Sequence, residues 1–120
     1  MCFVSFHNEL EHLQEIYAYP SGTTFVAYKN DESVGCVAAK KKNDNEIEMK
    51  RLYVKPACRR LGLAEKLIDM VKEYARTNKY EKVCLETLPG IMDNAICLYE
   101  KQGFEGVDKQ EGVLNMELIF

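Results

Sequence analysis

The chain of 120 residues has no tryptophan, only three prolines, and no apolar run near the roughly 20 residues that would span a bilayer. Its first residues lack the basic-then-apolar layout of an export signal. Those absences give the expectation of a cytoplasmic protein with no membrane partner. Five cysteines (Cys2, Cys36, Cys58, Cys84 and Cys97) include no CxxC pair, and most sit inside apolar patterns. They read as small core residues, not as a disulfide framework or a zinc site. His7 and His12 are five positions apart, a poor spacing for one helical face and too few donors for a ligand set. No metal is expected. Neither GxxxxGK[ST] nor GxGxxG occurs, which removes the common nucleoside-triphosphate and dinucleotide loops. Basic residues are not in excess: 16 Lys and Arg stand against 19 Asp and Glu. A net charge of −3 argues against nucleic acid as a general partner. With no repeat, low-complexity tract or linker-like run, residues 1–120 read as one domain, able to bury about 65% of the surface of the unfolded chain.

What is present is a succession of clear periodicities. Phe6, Leu10, Leu13 and Tyr17 recur at helical spacing behind Ser5 as a cap, which predicts a helix over 6–17. The runs 23–29 and 34–40 are β-rich and separated by the turn letters NDES, the signature of a hairpin. Residues 46–55 alternate through Ile47 and Met49 and then change phase to Leu52 and Val54. They form a third antiparallel strand with an irregularity near Lys50 and Arg51. After Pro56 the period becomes helical over 61–76, then 82–87 (KVCLET) is a short apolar strand of buried parallel type. Met92, Ala95, Ile96 and Tyr99 mark another helix, stopped by Gly103, and two closing strands flank the turn QEG. Strand 46–55, helix 61–76 and strand 82–87 make a right-handed βαβ unit, so a ligand is expected where the strands end and the helix begins.

That junction reads KPACRRLGLAEKL. Five basic residues and no acid lie between Lys50 and Arg60, while Asp31, Glu32, Asp44, Glu46 and Glu48 lie upstream. A helix N-terminus already carries partial positive charge, so two arginines there call for an anion. Small residues at Gly62 and Ala64 let a phosphate reach the backbone N–H groups, and Arg59 and Arg60 offset its charge. A pyrophosphate fits this arrangement.

RRLGLA resembles the Q/R-x-x-G-x-G/A signature of the GNAT superfamily of acyl-CoA-dependent N-acyltransferases. EMKRLYVKP before it and CLETLPGIMDNAICLYEKQGF after it are similar to the second half of many bacterial members. The likeness runs from about Phe6 to Phe104 and is closest over Glu48 to Phe104. It implies an α/β (α+β) fold: a mixed, mainly antiparallel central sheet with a parallel splayed strand pair and helices on both faces. It also implies an N-terminally short member, without the family's usual first strand and helix. The sheet edge beside 23–29 would then be bare, and a bare edge favours a homodimer. The segment between the last two strands is shortened to the turn QEG.

The same resemblance implies acetyl-CoA as cosubstrate and direct acetyl transfer to a primary amine of a small molecule or peptide. A non-catalytic module binding coenzyme A or a partner protein is the alternative. Leu52, Tyr53 and Val54 match the bulged strand that holds the pantetheine arm, and Arg59, Arg60, Leu61, Gly62, Leu63 and Ala64 match the pyrophosphate loop. Asn94, Ala95, Tyr99, Gly103 and Phe104 approximate the family's N-x-x-A-x-x-x-Y-x-x-x-G-F motif. Asn94 would bond the pantetheine or phosphate region, and Tyr99 would protonate the departing thiolate. An amine with a reference pKa of about 10.4 needs a base at neutral pH. Glu48 is the first candidate, with Glu86 competing. Backbone N–H groups around Val54 would hold the oxyanion.

Overall fold

The computed structural model describes residues 3–5, 22–59, 61–90 and 93–120. In chain order the elements are β1 (Phe3–Ser5), β2 (Gly22–Lys29), β3 (Glu32–Lys41), β4 (Glu46–Val54), a 3-10 turn (Pro56–Cys58), α1 (Leu63–Thr77), β5 (Lys82–Thr87), α2 (Asp93–Lys101), β6 (Glu105–Gln110) and β7 (Val113–Ile119). The strands form one seven-stranded sheet in the order β1-β2-β3-β4-β5-β7-β6. Every neighbouring pair is antiparallel except β4 and β5, which are parallel, as a helical crossover between them requires.

Local chemistry explains the connections. Asn30 and Asp31, at φ 51° and 67°, join β2 to β3 as a two-residue turn. Both have the short polar side chains that tolerate left-handed backbone. Glu111 and Gly112, at φ 52° and 80°, make the equivalent turn between β6 and β7. Helix α2 ends as Gly103 enters the left-handed region at φ 98° and Phe104 N–H reaches back 3.0 Å to the Tyr99 carbonyl. The end of α1 has the same form, with the Tyr80 N–H 2.9 Å from the Ala75 carbonyl, but there the left-handed residue is Lys79, at φ 63°.

The core lies between the sheet and both described helices. Leu63, Leu67, Ile68, Val71 and Ala75 recur at helical spacing and are the buried stripe of α1. They meet Phe25 and Ala27 of β2, Val37 and Ala39 of β3, Ile47 and Met49 of β4, and Val83 and Leu85 of β5. Tyr99 of α2 and Phe104, just past the helix end, extend this cluster, their rings edge to face at 6.0 Å. Burying a side chain such as Leu67 contributes about 1.5–3 kcal/mol. Lys72 ties the two helices by donating to the Gln102 carbonyl at 2.7 Å and to Gln102 Oε1 at 2.9 Å. On the opposite face Thr24, Val26 and Ala38 are buried as well. The helix expected over 6–17 lies outside the described residues, as do Cys2, His7 and His12.

One expectation is corrected. The edge beside β2 is not bare, because β1 pairs with it from Phe3↔Tyr28 to Ser5↔Val26. A three-residue strand carries too little pattern to be read in the sequence. The cover removes the physical reason given above for edge-to-edge association along that stretch. The shortened connection between the last two strands is as expected, reduced to the Glu111–Gly112 turn.

Candidate active site

The site begins where two parallel strands part. The β4–β5 ladder has three rungs, Glu46↔Lys82, Ile47↔Val83 and Glu48↔Cys84. Its closed end is fastened by Lys82, whose Nζ lies 3.7 Å from Glu46 Oε1 and 3.2 Å from Glu117 Oε2. The hydrogen bond to Glu117 is the main cause of a raised Lys82 pKa. Beyond Glu48, β4 stays with β3 while β5 stays with β7, from Leu85↔Met116 to Thr87↔Leu114. A V-shaped gap opens between them.

The cause of the opening is the change of phase in the β4 sequence. Between the pairs Ala38↔Lys50 and Cys36↔Tyr53, Arg51 and Leu52 stand opposite the single residue Val37. This is a β-bulge, and such a bulge bends and twists its strand. Arg51 sits in it at φ 57°, and its carbonyl accepts a weak hydrogen bond from the Cys36 thiol at 3.5 Å. Burial raises the Cys36 pKa, against an opposing effect from the Arg51 guanidinium. Past the bulge the Lys55 N–H bonds the Val34 carbonyl at 2.8 Å. In an antiparallel ladder the residue before it then turns its own N–H and C=O away from the partner strand. Val54 therefore aims both groups into the gap.

The gap continues to the start of α1. Gly62 is the residue before the helix, at φ 77°, and no side chain caps the first turn. The first N–H groups of an α-helix have no partner within it, so this end presents bare donors. Glycine is required because a Cβ is disfavoured at that φ, not because of crowding: the nearest atom to a Cβ there is Glu65 Oε2 at 3.7 Å. Arg59 folds back so that its Nε donates to the Val54 carbonyl at 3.0 Å, joining the loop to the strand end.

Two adjoining cavities occupy the gap and share Leu52. The larger, about 460 Å³, is lined by Leu52, Tyr53, Val54, Arg59, Gly62, Leu63, Ala64 and Asn94 among others. The second, about 360 Å³, lies at the fork and is lined by Glu48, Met49, Lys50, Arg51, Leu52, Leu85, Glu86 and Tyr99. Most residues singled out from the sequence are thus brought together. Leu61 is exposed and does not line the larger cavity, and Arg60 lies outside the described residues. Tyr53 turns an exposed ring outward, while Leu52 and Val54 pack on the core. Cys58, beside the loop, is buried in that core.

At the fork Tyr99 is 6% exposed, and burial pushes its phenol pKa up. Glu48 Oε1 is 3.6 Å from Lys50 Nζ. Glu86 is exposed on the other wall. Sequence reasoning gave no role to Lys50 or Arg51, although the phase change fell on them. It flagged the irregularity and not the side chains beside it. An anionic, extended ligand fits this set: helix donors and an arginine at one end, a backbone-lined slot in the middle, and titratable groups at the other.

Comparison with known proteins agrees with the geometry. The model of the acetyltransferase (GNAT) family matches residues 2–104. The uncharacterized N-acetyltransferase YjgM of Escherichia coli is 35% identical over 102 residues, covering 82% of this chain and 60% of that protein. N-acetylaspartate synthetase of Danio rerio is 35% identical over 107 residues, covering 88% of this chain and 38% of its own length. The chain therefore spans less than two thirds of the length of both relatives. Among solved structures, a GNAT family acetyltransferase from Elizabethkingia anophelis with acetyl-CoA bound superposes with a TM-score of 0.81 at 18% identity, covering 99% of this chain and 98% of that one. At that identity the likeness concerns the fold.

Proposed function

The chain belongs to the acetyltransferase (GNAT) family, and on that premise we propose that it transfers an acetyl group from acetyl-CoA to a primary amine by direct attack. The observation that carries the reading is that two cavities adjoin along the gap and share Leu52. The N-terminus of α1 and Val54 line one of them, and the Glu48, Glu86 and Tyr99 side chains line the other.

In this reading Arg59, Gly62 and Ala64 receive the pyrophosphate, whose charge suits the helix end. The strand backbone along Leu52, Tyr53 and Val54 receives the pantetheine arm, and Asn94 adds a polar contact from the first turn of α2. Glu48 or Glu86 takes the proton from the acceptor ammonium. The freed nitrogen lone pair forms the new C–N bond as the C–S bond breaks. The oxygen of the reacting carbonyl is served by an N–H such as that of Val54. Tyr99 supplies the proton that the sulfur takes up. The overall change is an ammonium and a thioester going to an amide, a thiol and one proton. Burial keeps Tyr99 protonated at neutral pH and so able to donate, while making it a weaker acid than a free phenol.

The test is thiol release from acetyl-CoA across a panel of amines, with thermal stabilisation by coenzyme A measured in parallel. Release with one acceptor class supports transfer. Stabilisation without release from any acceptor assigns a binding module instead, and the absence of both effects overturns the donor assignment.

A further inference from the structure

A base at the fork has to meet the ammonium of its acceptor, and Glu48 already has one beside it. Glu48 and Lys50 alternate with Ile47 and Met49, which point into the core, so both charged side chains project from the opposite face of β4. Lys50 Nζ lies 3.6 Å from Glu48 Oε1. Among the described residues, Lys50 is the one lysine that lines the cavity of about 360 Å³ at the fork. An acceptor ammonium that reaches Glu48 must therefore take the place of Lys50. While no acceptor is bound, the amine beside Glu48 is the chain's own.

Tyr99 enters the same cavity from the other side. It comes from α2 and belongs to the core cluster that Ile47 and Met49 face. A thioester lodged in the fork would thus have an amine and a carboxylate on one side and a phenol on the other. Those are the three groups that acetyl transfer needs, and here one chain supplies them all. Holding a nucleophile against its target within one molecule is worth an effective concentration of about 10⁵–10⁸ M when the two are well aligned. Lys40, Lys66 and Lys109 have no such placement: they are exposed and line neither cavity of the gap.

We propose that Lys50 is an internal acceptor: with acetyl-CoA bound and no amine in the fork, the protein acetylates its own Lys50 side chain. This rests on the acetyl-transfer reading above and gives that site a covalent modification of its own. Glu48 takes one proton from the Lys50 ammonium, and the freed Nζ lone pair forms a C–N bond to the carbonyl carbon of the acetyl group. The C–S bond breaks as Tyr99 protonates the sulfur. An ammonium and a thioester become Nε-acetyl-lysine, coenzyme A thiol and one proton. The product no longer carries the charge that faces Glu48.

The experiment incubates the protein with saturating acetyl-CoA that carries an isotopically labelled acetyl group and follows each lysine by mass spectrometry. The label sets new acetyl groups apart from any acquired during expression. Lys50 should be labelled at least about tenfold faster than Lys40, Lys66 and Lys109, with a first-order rate constant independent of protein concentration, because amine and donor share one molecule. Glu48→Gln and Tyr99→Phe, shown to be folded by their stabilisation with coenzyme A, should slow Lys50 by about tenfold or more and leave the exposed lysines unchanged. Labelling of Lys50 no faster than that of the exposed lysines, a rate constant that rises with protein concentration, or indifference to both substitutions would overturn the proposal. Thiol release with added amines, measured on the same preparation, separates the two readings. Release with Lys50 unlabelled overturns the internal acceptor alone, and the absence of both overturns the transfer reading with it.

Discussion

Glu48 and Cys84 form the last rung of the parallel ladder between β4 and β5. Glu48 is also paired with Lys40 on the other side, so its backbone is held by two strands at the point where the sheet divides. A carboxylate at that point is fixed in place while the space before it is open. Glu48→Gln should lower kcat by about 10²–10⁴-fold if it is the base, with little change in the affinity for coenzyme A. Glu86→Gln, assayed beside it, assigns the base to whichever variant loses kcat. Equal activity in both variants would remove either carboxylate from that role.

Tyr99→Phe keeps the ring against Phe104 and removes only the hydroxyl. Steady-state rates should fall by about 10²-fold, with near-normal thermal stability at neutral pH. The raised pKa also has a signed consequence for stability. The folded state holds the phenolic proton more tightly than the unfolded state, so Tyr99's contribution is complete below about pH 10 and is lost as pH rises beyond it. Denaturation curves from pH 8 to 11 should therefore show a shallower alkaline decline in the variant. An identical decline would mean that another group governs it.

Arg59 and Gly62 separate charge from shape in the proposed pyrophosphate site. Arg59→Ala should weaken coenzyme A binding by about tenfold or more, with the loss diminishing as salt is raised. Gly62→Ala places a Cβ at φ 77° with no close neighbour, so its cost is conformational, about 1–2 kcal/mol of stability. Calorimetric titration at two salt concentrations, together with urea denaturation, reads both effects. An unchanged affinity in Arg59→Ala would take the arginine out of the site.

Lys79 lies at the opposite pole of the molecule, where α1 leads into the start of β5. It holds the left-handed position of a helix stop at φ 63°, a place where glycine is preferred. Lys79→Gly should raise the free energy of unfolding by about 0.5–1 kcal/mol with acetyl transfer unaltered. Urea denaturation checks the gain, and a lower midpoint would contradict it.

The strands and helices with strong periods were legible to within about two residues. The stripe Leu63, Leu67, Ile68, Val71 of α1 and the turn letters at Asn30–Asp31 are local signals, each sufficient for its own element. The irregularity was legible too, because the apolar phase changes between Met49 and Leu52, and the pairing register shows that change to be a residue added to one strand. Strand β1 was not, since three residues leave no period to count and their pairing is set by β2. Helix α1 starts at Leu63 and not at Leu61 because Gly62 adopts left-handed backbone, which a sequence permits but does not announce. The cations at the fork were missed for a different reason. Lys50 and Arg51 read as part of a basic run leading to the phosphate loop, and only the pairing register places them facing the fork beside Glu48 and Glu86.

The three-rung ladder divides the sheet into a β1–β4 leaf and a β5–β7 leaf, joined by strand hydrogen bonds at one end alone. A slender ligand lying along Leu52 to Val54 would supply the rungs that the protein omits, acting as a temporary strand between the leaves. Donor binding would then be a step of folding as well as of recognition. Amide exchange should slow along the free edges of both leaves when the donor binds, and the protein should be at its most cooperative when it is loaded.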